Sequence, residues 1–198
     1  SEAKLTYRGV RSQLAEIRER LGVIDIGGGS VEVSVGQRRF CYFGDSLPCG
    51  FLRVQDLDAS ALREHVTRHF AATRTTVAEL RPERWVLSGG TARAFGRVAI
   101  ALSMMHGGEI QNTGVAVLAK HIQRLSSDKL AELGVPRNRT ALFPQAGRLL
   151  AELVHCFSIP AIGIASGGLR HGLVLSEYER ACLGGLAQGN PRASWDRG

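Results

Sequence analysis

The chain has 198 residues, 44% of them hydrophobic and 22% charged, which excludes a disordered segment and supplies one ordinary-sized core. No apolar run reaches the roughly 18 residues of a membrane span, and the polar first residues carry no secretory signal pattern, so the expectation is a cytoplasmic protein with no membrane partner. The 25 Lys and Arg against 18 Asp and Glu give a formal charge of +7, suited to polyanions, but the surplus is scattered arginine without interleaved aromatics, which disfavours nucleic acid.

In chain order, Leu5, Val10, Leu14, Ile17 and Leu21 recur at helical spacing and predict a helix over about 3–20. Strands follow at about 22–26, 31–36 and 39–44, joined by short glycine-containing turns. Residues 57–80 read as one helix with Leu57, Leu62, Val66, Phe70, Val77 and Leu80 on its apolar face. A short strand from Arg84 to Leu87 runs into Ser88-Gly89-Gly90-Thr91, and a helix is expected from about Ala92 to Met105. Gly107-Gly108 breaks the chain, 115–133 is amphipathic, 142–157 forms another helix, and Ala161 to Ala165 is a last buried strand. Residues 184–198, rich in Gly, Pro and polar types, read as a flexible tail. Cys41, Cys49, Cys156 and Cys182 form no CxxC pair or zinc spacing and read as reduced thiols. The histidines show no His-x-x-His or HExxH spacing.

The stretch Val23 to Val35 concentrates the chemistry. A buried strand delivers Asp25, then Gly27-Gly28-Gly29-Ser30, then Glu32 inside a strand of alternating polarity. Backbone N–H groups of such a turn approach an anion with no Cβ in the way. Asp25 and Glu32 can hold a hard cation that neutralises phosphate oxygens, which makes Mg²⁺, or Mn²⁺ in its stead, the expected cofactor. The alternative is a tight hairpin in which Asp25 accepts turn amides and Glu32 points to solvent. A dinucleotide fingerprint or P-loop would need a helix directly after the glycines, whereas a strand follows here. Gly89, Gly90 and Thr91 would cradle a second phosphate at the N-terminus of the helix from Ala92, with Thr91 also fitting an N-cap. Arg170 could reach a phosphate bidentately, or be an ordinary surface arginine. Arg93 reads as solvated.

The string Asp25 to Glu32 resembles the signature of the exopolyphosphatase and guanosine pentaphosphate phosphatase family. Other segments resemble that family's landmarks in order: Glu2-Ala3-Lys4-Leu5 with Tyr7-Arg8-Gly9-Val10, Ser46 to Gly50 with Arg53, Ser88 to Thr91, and Gly168-Leu169-Arg170-His171-Gly172. In the last, His171 stands where the family carries glutamate, which leaves open how Arg170 is oriented. The resemblance covers about residues 1–178. It implies an α/β ribonuclease-H-like fold of the actin, Hsp70 and sugar-kinase superfold, a mixed five-stranded sheet with helices on both faces. Residues 1–20 would be a linking helix after a first lobe that this chain lacks, and 21–183 the second lobe. It also implies that Glu2 activates water, with Glu32 assisting, and that the substrate is inorganic polyphosphate or guanosine pentaphosphate. A homodimer stays open. A single-lobe module that binds such polyanions without turning them over is the alternative. A kinase or Hsp70-like ATPase is disfavoured by the segments around Pro48 and Arg170.

Overall fold

The computed structural model describes the backbone of residues 1–14 and 18–187, and side chains as far as Tyr178. Helix α1 spans Glu2–Arg11, shorter than the predicted helix over 3–20. The Ser12 hydroxyl donates to the Gly9 carbonyl at 3.0 Å as the chain turns out of the helix. Leu21, expected on that helix, lies in strand β1, Arg20–Ile26, and Ile17 falls outside the described residues.

Strands β2, Val31–Gln37, and β3, Phe40–Leu47, continue the antiparallel meander from β1. Helices α2, Ala59–His69, and α3, Ala71–Leu80, replace the single helix expected over 57–80. The backbone breaks at Phe70 (φ −98°, ψ 9°), yet that side chain is fully buried and keeps the apolar face continuous. Apolar periodicity cannot reveal such a break, because both halves bury the same stripe.

Strand β4, Arg84–Ser88, pairs parallel with β1 and leads into helix α4, Gly89–Ala101. Strand β5, Glu109–Gln111, follows the Gly107-Gly108 turn, both glycines having positive φ. The amphipathic stretch at 115–133 becomes helix α5, Asn112–Ile122, and helix α6, Ser127–Glu132, restarted where the Ser126 hydroxyl accepts from the Lys129 amide at 3.2 Å. A 3₁₀ turn at Arg137–Leu142 precedes helix α7, Phe143–Cys156. Strand β6, Ala161–Ile164, and helix α8, Leu169–Ala187, complete the chain. Helix α8 runs past Gly184, where the sequence places the start of a tail, and residues 188–198 of that tail lie outside the described residues.

The sheet order is β3-β2-β1-β4-β6-β5. The mixed sheet with helices on both faces is as expected, but it has six strands where five are predicted. The extra one, β5, is three residues long, too short to show a period of two, and is held antiparallel to β6 by Ile110 opposite Ile162. On one face Ile24, Ile26, Leu87, Phe95 and Leu149 belong to the main core with α2 to α7. On the other, Leu21, Val23 and Val86 pack with Tyr7 and Val10 of α1. Alternation along β1 and β4 thus assigns the faces residue by residue.

Helices α1 and α8 approach at backbone contact. A Cβ on Gly9 would meet the Gly168 carbonyl oxygen and sit 2.6 Å from the Gly172 amide nitrogen, and one on Gly172 would meet the Leu5 carbonyl. Only glycine permits that spacing.

Candidate functional site

Register places the carboxylates first. Asp25, next to last on β1, stands opposite Glu32 on β2 and opposite Ser88 on β4. Between the two acids, Gly27 to Ser30 form the turn, closed by the Gly27 amide donating to the Ser30 carbonyl at 2.9 Å. A strap after β3 engages the turn's carbonyls. The Phe51 amide donates to Gly27 (3.2 Å), the Leu52 amide to Gly28 (3.0 Å), and Arg53 Nε to Gly29 (2.9 Å). Among the described residues the amides of Gly28 and Gly29 have no backbone acceptor. No atom lies within 4 Å of a Cβ built on Gly29. Protein packing therefore leaves the turn open at Gly29, while Leu52 and Phe51 cover Gly28; an anion cradle needs such an opening.

Glu32 is 8% exposed, and both the Ser30 and Ser46 hydroxyls donate to its Oε1, at 2.6 and 2.8 Å. The outward, solvated alternative for Glu32 is set aside by that burial.

The second turn differs from expectation in its start. Helix α4 begins at Gly89, three residues before Ala92, so Thr91 lies within the first turn, 7% exposed, and Ser88 occupies the N-cap position. Ser88 does not cap. Its hydroxyl donates to Asp25 Oδ2 at 2.8 Å, and among the described residues no side-chain hydrogen bond caps the start of α4. Gly89 has φ +87°, and a Cβ there would strike the Asp25 carboxylate. The carboxylate thus occupies the space that glycine leaves. Over the next residue lies an arginine that sequence reasoning did not single out: a Cβ on Gly90 would meet the Arg139 guanidinium. Arg139 lies within the 3₁₀ turn that Pro136 leads and belongs to no motif in the chain, so no linear signal marks it.

A second helix opens beside the first. A Cβ on Gly168 would lie 3.6 Å from the Gly89 amide nitrogen, which sets the N-terminus of α8 against that of α4. Arg170 and His171 are exposed in the first turn of α8. Glu2 is exposed at the start of α1, which lies along β3 with Lys4 and Ala3 against Gly44.

The charges at this end of the sheet act on Asp25. Its carboxyl is pushed up from 3.8 to about 6, first by burial, against the lowering effect of the Ser88 hydroxyl, with Glu32 and Glu2 adding to the rise and Arg93 opposing it. Arg93, read as solvated, is indeed exposed, yet its charge is felt by Asp25. Among the described residues no group of three or more His, Cys, Asp and Glu is placed to hold a metal ion. Asp25 and Glu32 stand opposite each other on β1 and β2, and two such carboxylates fit a hard cation that takes its remaining ligands from water and phosphate.

The strain on Asp25 predicts a stability effect. The folded state holds the Asp25 proton more tightly than the unfolded chain, so the cost is full above pH 6, shrinks as pH falls from about 6 to 3.8, and vanishes below that. Asp25→Asn keeps an acceptor for Ser88, and is expected to stabilise the metal-free protein by roughly 1–3 kcal/mol at pH 7.5. Urea unfolding at pH 7.5 and pH 3.5 checks this. A gain of equal size at both pH values would contradict it.

Comparison with known proteins matches this arrangement to one family. Exopolyphosphatase 1 of Mycobacterium tuberculosis is 32% identical over 197 residues, with 90% of this chain and 56% of that protein covered. Exopolyphosphatase 1 of Mycobacterium leprae is 28% identical, with 90% and 57% covered. The chain therefore spans about half the length of the curated relatives it matches. Among crystal structures, an exopolyphosphatase from Cytophaga hutchinsonii superposes with a TM-score of 0.75 at 18% identity, covering 90% of this chain and 63% of that one. The Aquifex aeolicus member of the Ppx/GppA family gives 0.67 at 20% identity, covering 91% and 62%. The expected superfold is thereby met, with its sixth strand. The profile of the Ppx/GppA phosphatase family matches residues 1–181, and the chain belongs to that family.

Proposed function

We propose that the chain is one half of the catalytic module of a phosphoanhydride hydrolase that releases terminal phosphate from inorganic polyphosphate or the 5′-phosphate of guanosine pentaphosphate. The observation that carries this reading is the convergence of the Gly27–Ser30 turn, open at Gly29, and the N-terminus of α4 on Asp25 and Glu32, with α8 opening alongside. Mg²⁺ held by Asp25, with Glu32 beside it, would supply neutralisation of the phosphate oxygens. The amides of Gly28, Gly29 and Ser30 hold the terminal phosphoryl, and those of Gly89, Gly90 and Thr91 its neighbour, where the helix dipole favours negative charge. Arg170 grips phosphate oxygens from the first turn of α8. Glu2 accepts the proton of the attacking water as its oxygen bonds to the terminal phosphorus. The anhydride P–O bond breaks, and the shortened chain leaves with the electron pair.

Two measurements test the site. Mg²⁺ alone is expected to bind weakly and to tighten with a short inorganic polyphosphate, because the ion prefers shared coordination to an all-protein cage. Calorimetry that finds equal Mg²⁺ affinity in wild type and Asp25→Ala, with tripolyphosphate present, would sink the metal assignment. Gly29→Ala meets open space and has no positive φ to strain, so its stability should stay within about 1 kcal/mol of wild type. Its tripolyphosphate affinity should nonetheless fall roughly tenfold, the scale of one lost charge-assisted hydrogen bond. Unchanged affinity would remove the turn from the phosphate site.

A further inference from the structure

The carbonyls of Gly27, Gly28 and Gly29 each have their own donor on the strap after β3, and the donors run in step with the turn. The Phe51 amide holds the first at 3.2 Å, the Leu52 amide the second at 3.0 Å, and Arg53 Nε the third at 2.9 Å. A trans peptide is planar, with its N–H directed opposite its C=O. Fixing those three carbonyls therefore turns the N–H groups of Gly28, Gly29 and Ser30 away from the strap donors. These are the amides that the proposed phosphoryl site uses, and among the described residues none of them donates to a backbone carbonyl. The third donor differs in kind from the other two. The main-chain amide of Arg53 is engaged within the strap, donating to the Gly50 carbonyl at 2.9 Å, so a side chain has to reach Gly29. Arg53 is exposed, and among the described residues its side chain makes no other hydrogen bond and no ion pair. Neither burial nor a neighbouring acid accounts for where the guanidinium lies; the Gly29 carbonyl does.

We infer that Arg53 is a positioning residue, whose Nε–H sets the plane of the Gly29–Ser30 peptide so that the Ser30 amide faces the phosphoryl group. The inference rests on the phosphate-binding reading above. A hydrogen bond accepted by the carbonyl also polarises the peptide, which strengthens the Ser30 N–H as a donor. Arg53 thus acts on the anion through the turn, by direction first and by polarisation second, without touching it.

Substitutions at Arg53 separate position from charge. In Arg53→Gln the side-chain amide nitrogen falls at the same number of bonds from Cα as Nε, so the donor stays and the charge goes. In Arg53→Lys a methylene falls there and the ammonium lies one bond beyond, so the charge stays and the donor moves. Arg53→Met removes both. The position is exposed, so all three should melt within about 3 °C of wild type. Calorimetric titration with tripolyphosphate and Mg²⁺ should place Arg53→Gln within about threefold of wild type. Arg53→Lys and Arg53→Met should bind roughly tenfold more weakly, the scale of one charge-assisted hydrogen bond. The positioning role is overturned if Arg53→Lys binds as tightly as wild type, which would make the guanidinium a charge alone, or if Arg53→Gln is as weak as Arg53→Met. Should wild type bind no tripolyphosphate, the phosphate-site reading itself fails and the positioning role fails with it.

Discussion

Joined to a preceding lobe of the kind the resemblance implies, the chain is expected to hydrolyse polyphosphate roughly a hundredfold or more faster than residues 1–198 alone. Phosphoryl transfer depends on alignment of water, base and phosphorus and on fixed dipoles in a closed site. Glu2 is exposed and the turn is open at Gly29, so on the proposed reading this chain alone would hold the attacking water from one side only. In the longer polypeptide Glu2→Gln should abolish turnover while substrate binding stays within a few-fold. The amide keeps the shape of the side chain but cannot take the proton. Phosphate-release kinetics on both forms check this. A Gln variant that turns over at the parent rate would make Glu2 an ordinary helix-end acid.

The second large effect concerns how Glu2 is carried. Its helix is locked to α8 by glycines whose missing side chains admit backbone atoms of the other helix. Gly172→Ala would drive a Cβ into the Leu5 carbonyl, and Gly9→Ala would drive one into that of Gly168. Backbone atoms cannot rotate aside as a side chain can, so the helices must part. The expected loss is about 3 kcal/mol, at the upper end of the usual range for overpacking. Thermal unfolding should shift down by roughly 6–12 °C for a domain of this size. Helix propensity alone predicts the opposite sign, since alanine in place of glycine inside an exposed helix gains up to about 1 kcal/mol. A variant as stable as wild type would mean that α1 does not sit at backbone contact with α8. In the longer polypeptide the same substitutions should lower turnover although Glu2 is untouched.

What the amino-acid sequence reveals and what it hides divide along physical lines. Strands β1 to β3 and the Gly27–Ser30 turn are legible because apolar alternation and glycine clusters are local signals. The pairing of Asp25 with Glu32 is legible for the same reason, since a short hairpin leaves little choice of register. The Phe70 break, β5 and the end of α1 are not, because tertiary burial settles them where local periodicity is silent. The same holds within the site. Ser88 looks like a cap residue, and only the parallel register of β4 against β1 turns its hydroxyl to Asp25. Glu32 sits at an alternating position that could face either way until Ser46 of β3 is laid beside it. Arg139 reaches Gly90 across a separation of 49 residues, through a turn whose own sequence predicts nothing about phosphate.

The most direct measurement of the central claim is amide chemical-shift mapping of the ¹⁵N-labelled chain on addition of tripolyphosphate with Mg²⁺. Amides of the two cradles and of the helix opening beside them report an anion without any assumption about turnover. The largest shifts are expected at Gly28, Gly29, Ser30, Gly89, Gly90 and Thr91, with smaller ones at Leu169 and Arg170. Shifts confined to the opposite end of the sheet, in the cleft of about 1110 Å³ that Trp85 and Phe157 line, would contradict the assignment, as would no shifts at all.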